Sequence, residues 1–365
     1  MDSRSEEMRN SMRNLQRRST AAIATLVFGT VLAVATSAAV PATAKTGPDA
    51  AGTGRAVAAA AAPAFPTFVH LPADQAAHPN ARQEWWYVVG HVNAHGHRFG
   101  YEVMINDVEE APQVSIGITD KTTGEYYTHS QRYSPDQASF STTELDARVP
   151  SARLSGPMQA MQLHATLPVG EIKLTLSARG PAMYNNGTGL MPFLGGTSYY
   201  YSLPSLATRG TLTVKNRTYP VTGESWLDRQ WGTWDWNTLQ KWTWMSLQLS
   251  NGDRVSLWDL FAQGGESPYA TVLRRDGTHE IVAVKPLADG TSGFWTSPTT
   301  GKRYGTRWTV NIPALDARLT VVAEPQGQEV QAFGGVYEGA ATVAGRYRGK
   351  PVTGQAYVEQ LGNWR

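Results

Sequence analysis

Three short stretches of this chain occur twice in the same order, and no other feature restricts its fold as much. EWWYVVGHVNAHGHRFGYEVMI, from Glu84 to Ile105, lies over KWTWMSLQLSNGDRVSLWDLFA, from Lys241 to Ala262, with Trp85 on Trp242 and Arg98 on Arg254. LPVGEIKLTL, from Leu167 to Leu176, lies over IPALDARLTV, from Ile312 to Val321. PVTGESWLD, from Pro220 to Asp228, lies over PVTGQAYVE, from Pro351 to Glu359. The distance between copies shrinks along the chain, so the sequence reads as two similar halves, the second shorter.

The halves are expected to be β-structure. The chain holds 35 Gly and 21 Pro together with 12 Trp, 15 Tyr and 9 Phe. Its last two-thirds has no long amphipathic helical pattern, which favours many short strands joined by turns. Hydrophobic residues make up 41% of the 365, enough for a substantial core. No Cys is present, so disulfides, a thiol nucleophile and Cys-based metal sites are excluded.

Arg13, Arg17 and Arg18 precede an apolar run from Ala21 to Val40, and Ala42-Thr43-Ala44 supplies small residues for cleavage. That layout is a secretory leader. Residues 1–44 are expected to be a signal peptide and 45–63 an Ala/Gly-rich linker, followed by an N-terminal domain over 64–232 and a C-terminal domain over 233–365. The expected location is therefore extracellular, with no stable membrane span after cleavage; the rival is an uncleaved anchor, since the run is nearly long enough to span a bilayer. Cleavage after Ala44 leaves equal numbers of acidic and basic residues. A neutral chain without a basic run offers no footprint for nucleic acid.

Side chains alternate along a strand. Trp85, Tyr87, Val89 and His91 share one face, and Trp242, Trp244, Ser246 and Gln248 share the matching face of the second half. Aromatic rings with polar tips suit a cavity lining. The opposite face, Met245, Leu247 and Leu249, is apolar and is expected to pack against a partner surface. In the third repeated stretch Glu224, Trp226, Asp228 and Gln230 fall together, with Arg229 on the other face. Six Trp occur between Trp226 and Trp244, among charged and amide side chains, where the two halves join. Asp228 coincides with Glu359 in the repeat, and Trp226 with Tyr357. Such an acid either satisfies backbone donors at a strand end or acts as a proton donor held in an apolar wall.

No G-x-S-x-G elbow, P-loop, dinucleotide glycine fingerprint or H-E-x-x-H occurs. His91, His95 and His97 fall in a stretch, NAHGHRFG, that reads as a hairpin loop, so no metal site and no cofactor are expected. A carboxyl desolvated by Trp has its pKa raised and can stay protonated near neutrality. It could then protonate an alkene or activate a carbonyl.

The chain resembles the carotenoid 1,2-hydratase (hydroxyneurosporene synthase) and AttH family of lipocalin-like proteins. The resemblance rests on Glu84-Trp85-Trp86-Tyr87, Tyr199-Tyr200-Tyr201-Ser202, the junction motif from Gly223 to Gly232, and Trp242-Thr243-Trp244 with Gln248-Leu249. It implies two consecutive lipocalin-like antiparallel β-barrel domains with a ligand site near their interface. It also implies action on an apolar isoprenoid or polyketide-like small molecule: hydration, isomerisation or cyclisation. The chain departs from the family in Arg229-Gln230, where many members have His-Glu or His-Gln, and in VEQLG near its end. Asp228 takes the position of the proton donor. Glu84, Trp85, Tyr87, His91, Trp226, Trp231, Trp242, Trp244, Gln248 and Glu359 are the expected substrate-binding residues. The alternatives are a pericyclic cyclase that only preorganises its substrate, a lipocalin-type carrier of a hydrophobic ligand, and a secreted hydrolase by family label.

Overall fold

In the computed structural model, which describes residues 66–108 and 111–362, the chain is almost wholly antiparallel β-structure. The expected leader and linker lie outside the described residues. The first sheet has 13 strands. It opens with β1 (Gln83–Ala94), β2 (His97–Val108), β3 (Ala111–Asp120) and β4 (Glu125–Arg132). Shorter strands follow: β5 (Ser139–Phe140), β6 (Asp146–Val149), β7 (Ala152–Ser155), β8 (Met161–Leu167) and β9 (Gly170–Ala178). The sheet closes with β10 (Met183–Tyr184), β11 (Leu190–Phe193) and the long hairpin of β12 (Gly196–Val214) and β13 (Arg217–Thr233).

The second sheet has nine strands. They begin with β14 (Leu239–Leu249), β15 (Arg254–Ala262), β16 (Gly265–Leu273) and β17 (His279–Ala283). A one-turn helix, Leu287–Gly290, and a separate two-stranded ribbon, β18 (Phe294–Thr296) with β19 (Arg303–Gly305), intervene. The sheet resumes with β20 (Arg307–Ile312), β21 (Ala317–Ala323), β22 (Glu329–Val330), β23 (Val336–Tyr347) and β24 (Lys350–Leu361).

Read from one edge, the first sheet runs β4-β3-β2-β1-β13-β12-β9-β8 before its extra strands, and the second runs β17-β16-β15-β14-β24-β23-β21-β20. The two walks match strand for strand. The repeated sequence stretches fall on β1–β2 and β14–β15, on β9 and β21, and on β13 and β24. Register is kept as well: Asp228 stands opposite Tyr87, and Glu359 opposite Trp244, which is the position equivalent to Tyr87. The fold is thus two lipocalin-like antiparallel half-barrels related by duplication. Among the described residues no helix is long and apolar enough to cross a membrane.

Alternation decides which face does what. Trp86, Val88 and Val92 of β1 point into the first half-barrel, where they join Tyr101, Val103, Ile105 and Leu227. Met245, Leu247 and Leu249 of β14 point into the second, with Val255, Leu257 and Val358. Each interior is packed with its own buried side chains, and the surface that Met245, Leu247 and Leu249 pack against is the inner face of their own half-barrel. The other faces of β1, β13, β14 and β24 meet each other. There Tyr87, Val89, Trp226, Trp242, Trp244 and Tyr357 form a third core between the sheets, joined by Tyr200 and Trp258. Burying one such side chain stabilises by roughly 1.5–3 kcal/mol, so this seam holds the halves together. Gly100 of β2 lets them approach closely, since a Cβ there would overlap the Ala340 methyl of β23.

Candidate functional site

The seam is not filled completely. A cavity of about 460 Å³ opens between the sheets, walled by Trp85, Tyr87, Trp236, Trp242, Trp244 and Trp258. Asp228 and Glu359, the two acids equivalent by duplication, both line it. Because equivalent outer faces were docked together, equivalent positions converged on one space.

Asp228 is 3% exposed. It accepts hydrogen bonds from the Tyr200 hydroxyl at 2.6 Å and the Trp226 indole N–H at 2.6 Å. Burial pushes its carboxyl up to about 7, against the pull of Ser202, Tyr200 and Trp226, whose hydrogen bonds favour the anion. Glu359 is pushed up to about 8, first by burial and then by the charge of Asp228. Two further acids stand behind this pair, deeper in the seam. Glu338, opposite Glu359 on β23, takes a short hydrogen bond from the Tyr87 hydroxyl, and burial followed by the charges of Glu359 and Glu102 pushes it well above the carboxylate range. Glu102 of β2 accepts from Ser115 at 3.3 Å and is raised by burial to about 8. Four buried acids that form no ion pair among the described residues do not all ionise together.

Arg229 does not neutralise them. It points to the opposite face of β13, where its guanidinium is fully buried, pairs with Glu84 at 2.7 Å and lies over the Trp86 ring. Burial raises the Glu84 carboxyl, but the Arg229 charge and the His78 hydrogen bonds outweigh it and hold Glu84 below its usual value.

Of the residues expected to bind substrate, Trp85, Tyr87, Trp242, Trp244 and Glu359 line the cavity with Asp228. Trp226 stands behind the wall and reaches the site through its bond to Asp228. The other four lie elsewhere. Glu84 belongs to the face of Trp86 and borders a separate, polar surface cleft. Trp231, on that same face of β13, stacks between His78 and Tyr199. His91 and Gln248 lie on the seam face but beyond the cavity, where the sheets touch. His91 donates from Nε2 to the Ala356 carbonyl at 2.9 Å, and its equivalent Gln248 donates to the Ser225 carbonyl at 3.2 Å. Ala356 and Ser225 are themselves equivalent, so these bonds form a reciprocal clamp. Burial lowers the His91 pKa to about 3, which keeps the ring neutral.

The sequence does not reveal Tyr200 as a partner of Asp228, the deep acids Glu102 and Glu338, or the cavity residues Trp258 and Asn106. Gln230, placed by alternation on the face of Asp228, lines the cavity as well. Glu102 and Glu338 give a fainter sign: Glu102 stands between the apolar Tyr101 and Val103, and Glu338 is the only acid of β23.

Two lipocalin-like half-barrels thus enclose an aromatic cavity that holds a pair of buried carboxyls. The chain belongs to the AttH-like family, whose model matches residues 62–363. An AttH structure from Nitrosomonas europaea (NE1406) superposes with a TM-score of 0.73 at 21% identity, covering 84% of this chain and 100% of that one. The dehydratase asqC of Emericella nidulans is 30% identical over 213 residues, 54% of this chain and 60% of its own. Kievitone hydratase of Fusarium solani subsp. phaseoli is 28% identical over 203 residues, 52% of this chain and 57% of its own. The match therefore spans about three-fifths of the length of these two relatives.

Proposed function

We propose that the protein is a cofactor-independent hydratase or dehydratase that adds water across, or removes it from, a carbon–carbon bond of an apolar small molecule in the seam cavity. One observation carries this reading: two carboxyls with raised pKa values share a Trp-walled space, where the charge of Asp228 adds to the cost of ionising Glu359. Between about pH 7 and 8 such a pair carries one proton. One member is then an acid and the other a base, which is what water addition and its reversal both require.

Hydrogen bonds from Tyr200 and Trp226 favour the Asp228 anion, so Glu359 holds the proton and Asp228 is the base, whereas the sequence alone pointed to Asp228 as the donor. In dehydration Asp228 takes a proton from carbon while Glu359 protonates the departing hydroxyl. Hydration is the same step reversed: the pair's proton sits on Asp228, which gives it to carbon as Glu359 takes a proton from the incoming water. The faces of the surrounding Trp rings favour positive charge as it develops. Two relatives that are named a dehydratase and a hydratase support the same chemistry. The leader-like N-terminus supports an exported site of action.

The test is a mass-spectrometric screen of purified protein against a panel of isoprenoid and polyketide-like alcohols and alkenes. The wild type is expected to change substrate mass by one water, and Asp228→Asn and Glu359→Gln each to lose about 10²-fold or more in rate. Ligand retained unchanged by all three proteins would replace this reading with a carrier. Cyclised product made equally well by all three would replace it with a preorganising cyclase.

A further inference from the structure

The cavity wall is apolar in bulk but holds a row of polar atoms that find no partner in the protein. Gln230 is 1% exposed, lines the cavity, and neither its amide oxygen nor its amide nitrogen is hydrogen-bonded. Asn106, also 1% exposed and cavity-lining, has an unpartnered carbonyl oxygen. The indole N–H groups of Trp236 and Trp258 are unpartnered too. Register gives this row its shape. Asn106, Trp85 and Gln230 stand abreast on β2, β1 and β13. The amide groups therefore flank the Trp85 ring, roughly 10 Å apart at the backbone. Gln230 follows Asp228 on the same face, roughly 7 Å along the strand.

Leaving a buried donor or acceptor unpaired costs about 1–3 kcal/mol. A pure hydrocarbon filling this cavity would leave all five of these atoms unpaired. A site built to hydrogen-bond an oxygen discriminates strongly against the analogue that lacks it. We propose that the substrate is an oxygenated, conjugated carbonyl compound whose carbonyl oxygen accepts from the Gln230 amide and a neighbouring indole N–H, next to the carbon that gains or loses water. This rests on the hydratase or dehydratase reading of the same cavity and narrows it to a β-hydroxy carbonyl compound and its α,β-unsaturated partner.

The step balances without a co-reactant. Asp228 takes the proton on the carbon α to the carbonyl, and that electron pair forms the new C=C bond as the β C–O bond breaks. The Glu359 proton goes to the leaving hydroxyl, which departs as water. Charge building on the carbonyl oxygen meets the Gln230 and indole donors. A proton passed from Asp228 to Glu359 resets the pair, and the reverse sequence adds water.

Equilibrium dialysis with trans-chalcone and trans-stilbene, two flat diaryl compounds that differ in the carbonyl, tests this in the wild type and in Gln230→Leu. The wild type is expected to bind chalcone at least about tenfold more tightly than stilbene, or about 1.4 kcal/mol. Gln230→Leu is expected to weaken chalcone and leave stilbene as it was, bringing the two within about threefold. Stilbene binding as tightly as chalcone, a preference that survives in Gln230→Leu, or no saturable chalcone binding would each overturn the inference. The wild-type comparison stands even where the variant folds poorly. Water chemistry lost in Asp228→Asn with no chalcone preference would remove the carbonyl assignment alone; a chalcone preference without any water chemistry would remove the reaction alone.

Discussion

At the scale of single residues, the site depends on a difference between two carboxyls that share one space. Tyr200 and Trp226 each give Asp228 a hydrogen bond of 2.6 Å that favours its anion, whereas Glu359 has Asp228 itself as a neighbouring charge. Without its donors Asp228 would rise toward Glu359, and the range in which one is ionised and the other protonated would narrow. Activity is expected to follow a bell in pH, rising as the base ionises near 7 and falling as the acid ionises near 8. Tyr200→Phe removes one bond to the anion. The ascending limb of kcat/KM should then move to higher pH, the descending limb should stay within a few tenths of a unit, and the maximum should fall. An ascending limb unmoved in Tyr200→Phe would mean that a group other than Asp228 sets it.

At the scale of elements, the seam is held by matched features of the two copies. The His91 bond to the Ala356 carbonyl and the Gln248 bond to the Ser225 carbonyl are the same contact made twice, once in each direction. His91→Ala and Gln248→Ala should each destabilise by about 1–3 kcal/mol, because a buried carbonyl loses its donor. Urea unfolding at fixed pH measures this, and turnover measured well below the transition should stay within about twofold, since neither side chain lines the cavity. A loss of activity without loss of stability would return His91 or Gln248 to the site. These two residues also show where strand reading stops. Alternation places them on the correct face beside Trp85 and Trp242, but it does not say how far along a strand the cavity extends. Glu84 is the reverse case: alternation alone sets it apart from Trp85, and only its place in the EWWY motif drew it into the site. Asp228 is legible because it stands among tryptophans and recurs as Glu359. Glu102 and Glu338 are not, since a single acid in a strand usually faces water, and only the docking of the second sheet buries them.

At the scale of the whole molecule, that docking is paid for in protons. Asp228, Glu102, Glu338 and Glu359 are all raised by burial, and none forms an ion pair among the described residues, although Arg132 and Lys302 line the same cavity as Asp228 and Glu359. In the unfolded chain they ionise near their ordinary values of about 4. In the folded protein they keep protons up to about 7 for Asp228 and about 8 for Glu102 and Glu359. The stability linked to these groups is therefore complete below about pH 4 and is lost as pH climbs through 7 and 8. His91 has the opposite sign: its folded value near 3 lies below the ordinary 6.5, so its contribution is lost as pH falls below 6.5. Between pH 6.5 and 8 the carboxyls dominate, and the protein should melt at a higher temperature at 6.5 than at 8. Glu102→Gln keeps the shape of the side chain and removes its ionisation, so it should raise the melting temperature at pH 8 more than at pH 6.5 and flatten the dependence between them. Calorimetry at the two pH values decides it. A wild type that melts higher at pH 8, or a dependence that Glu102→Gln leaves unchanged, would mean that the seam acids are ionised in the folded protein, and the acid assigned to Glu359 would then lack its proton.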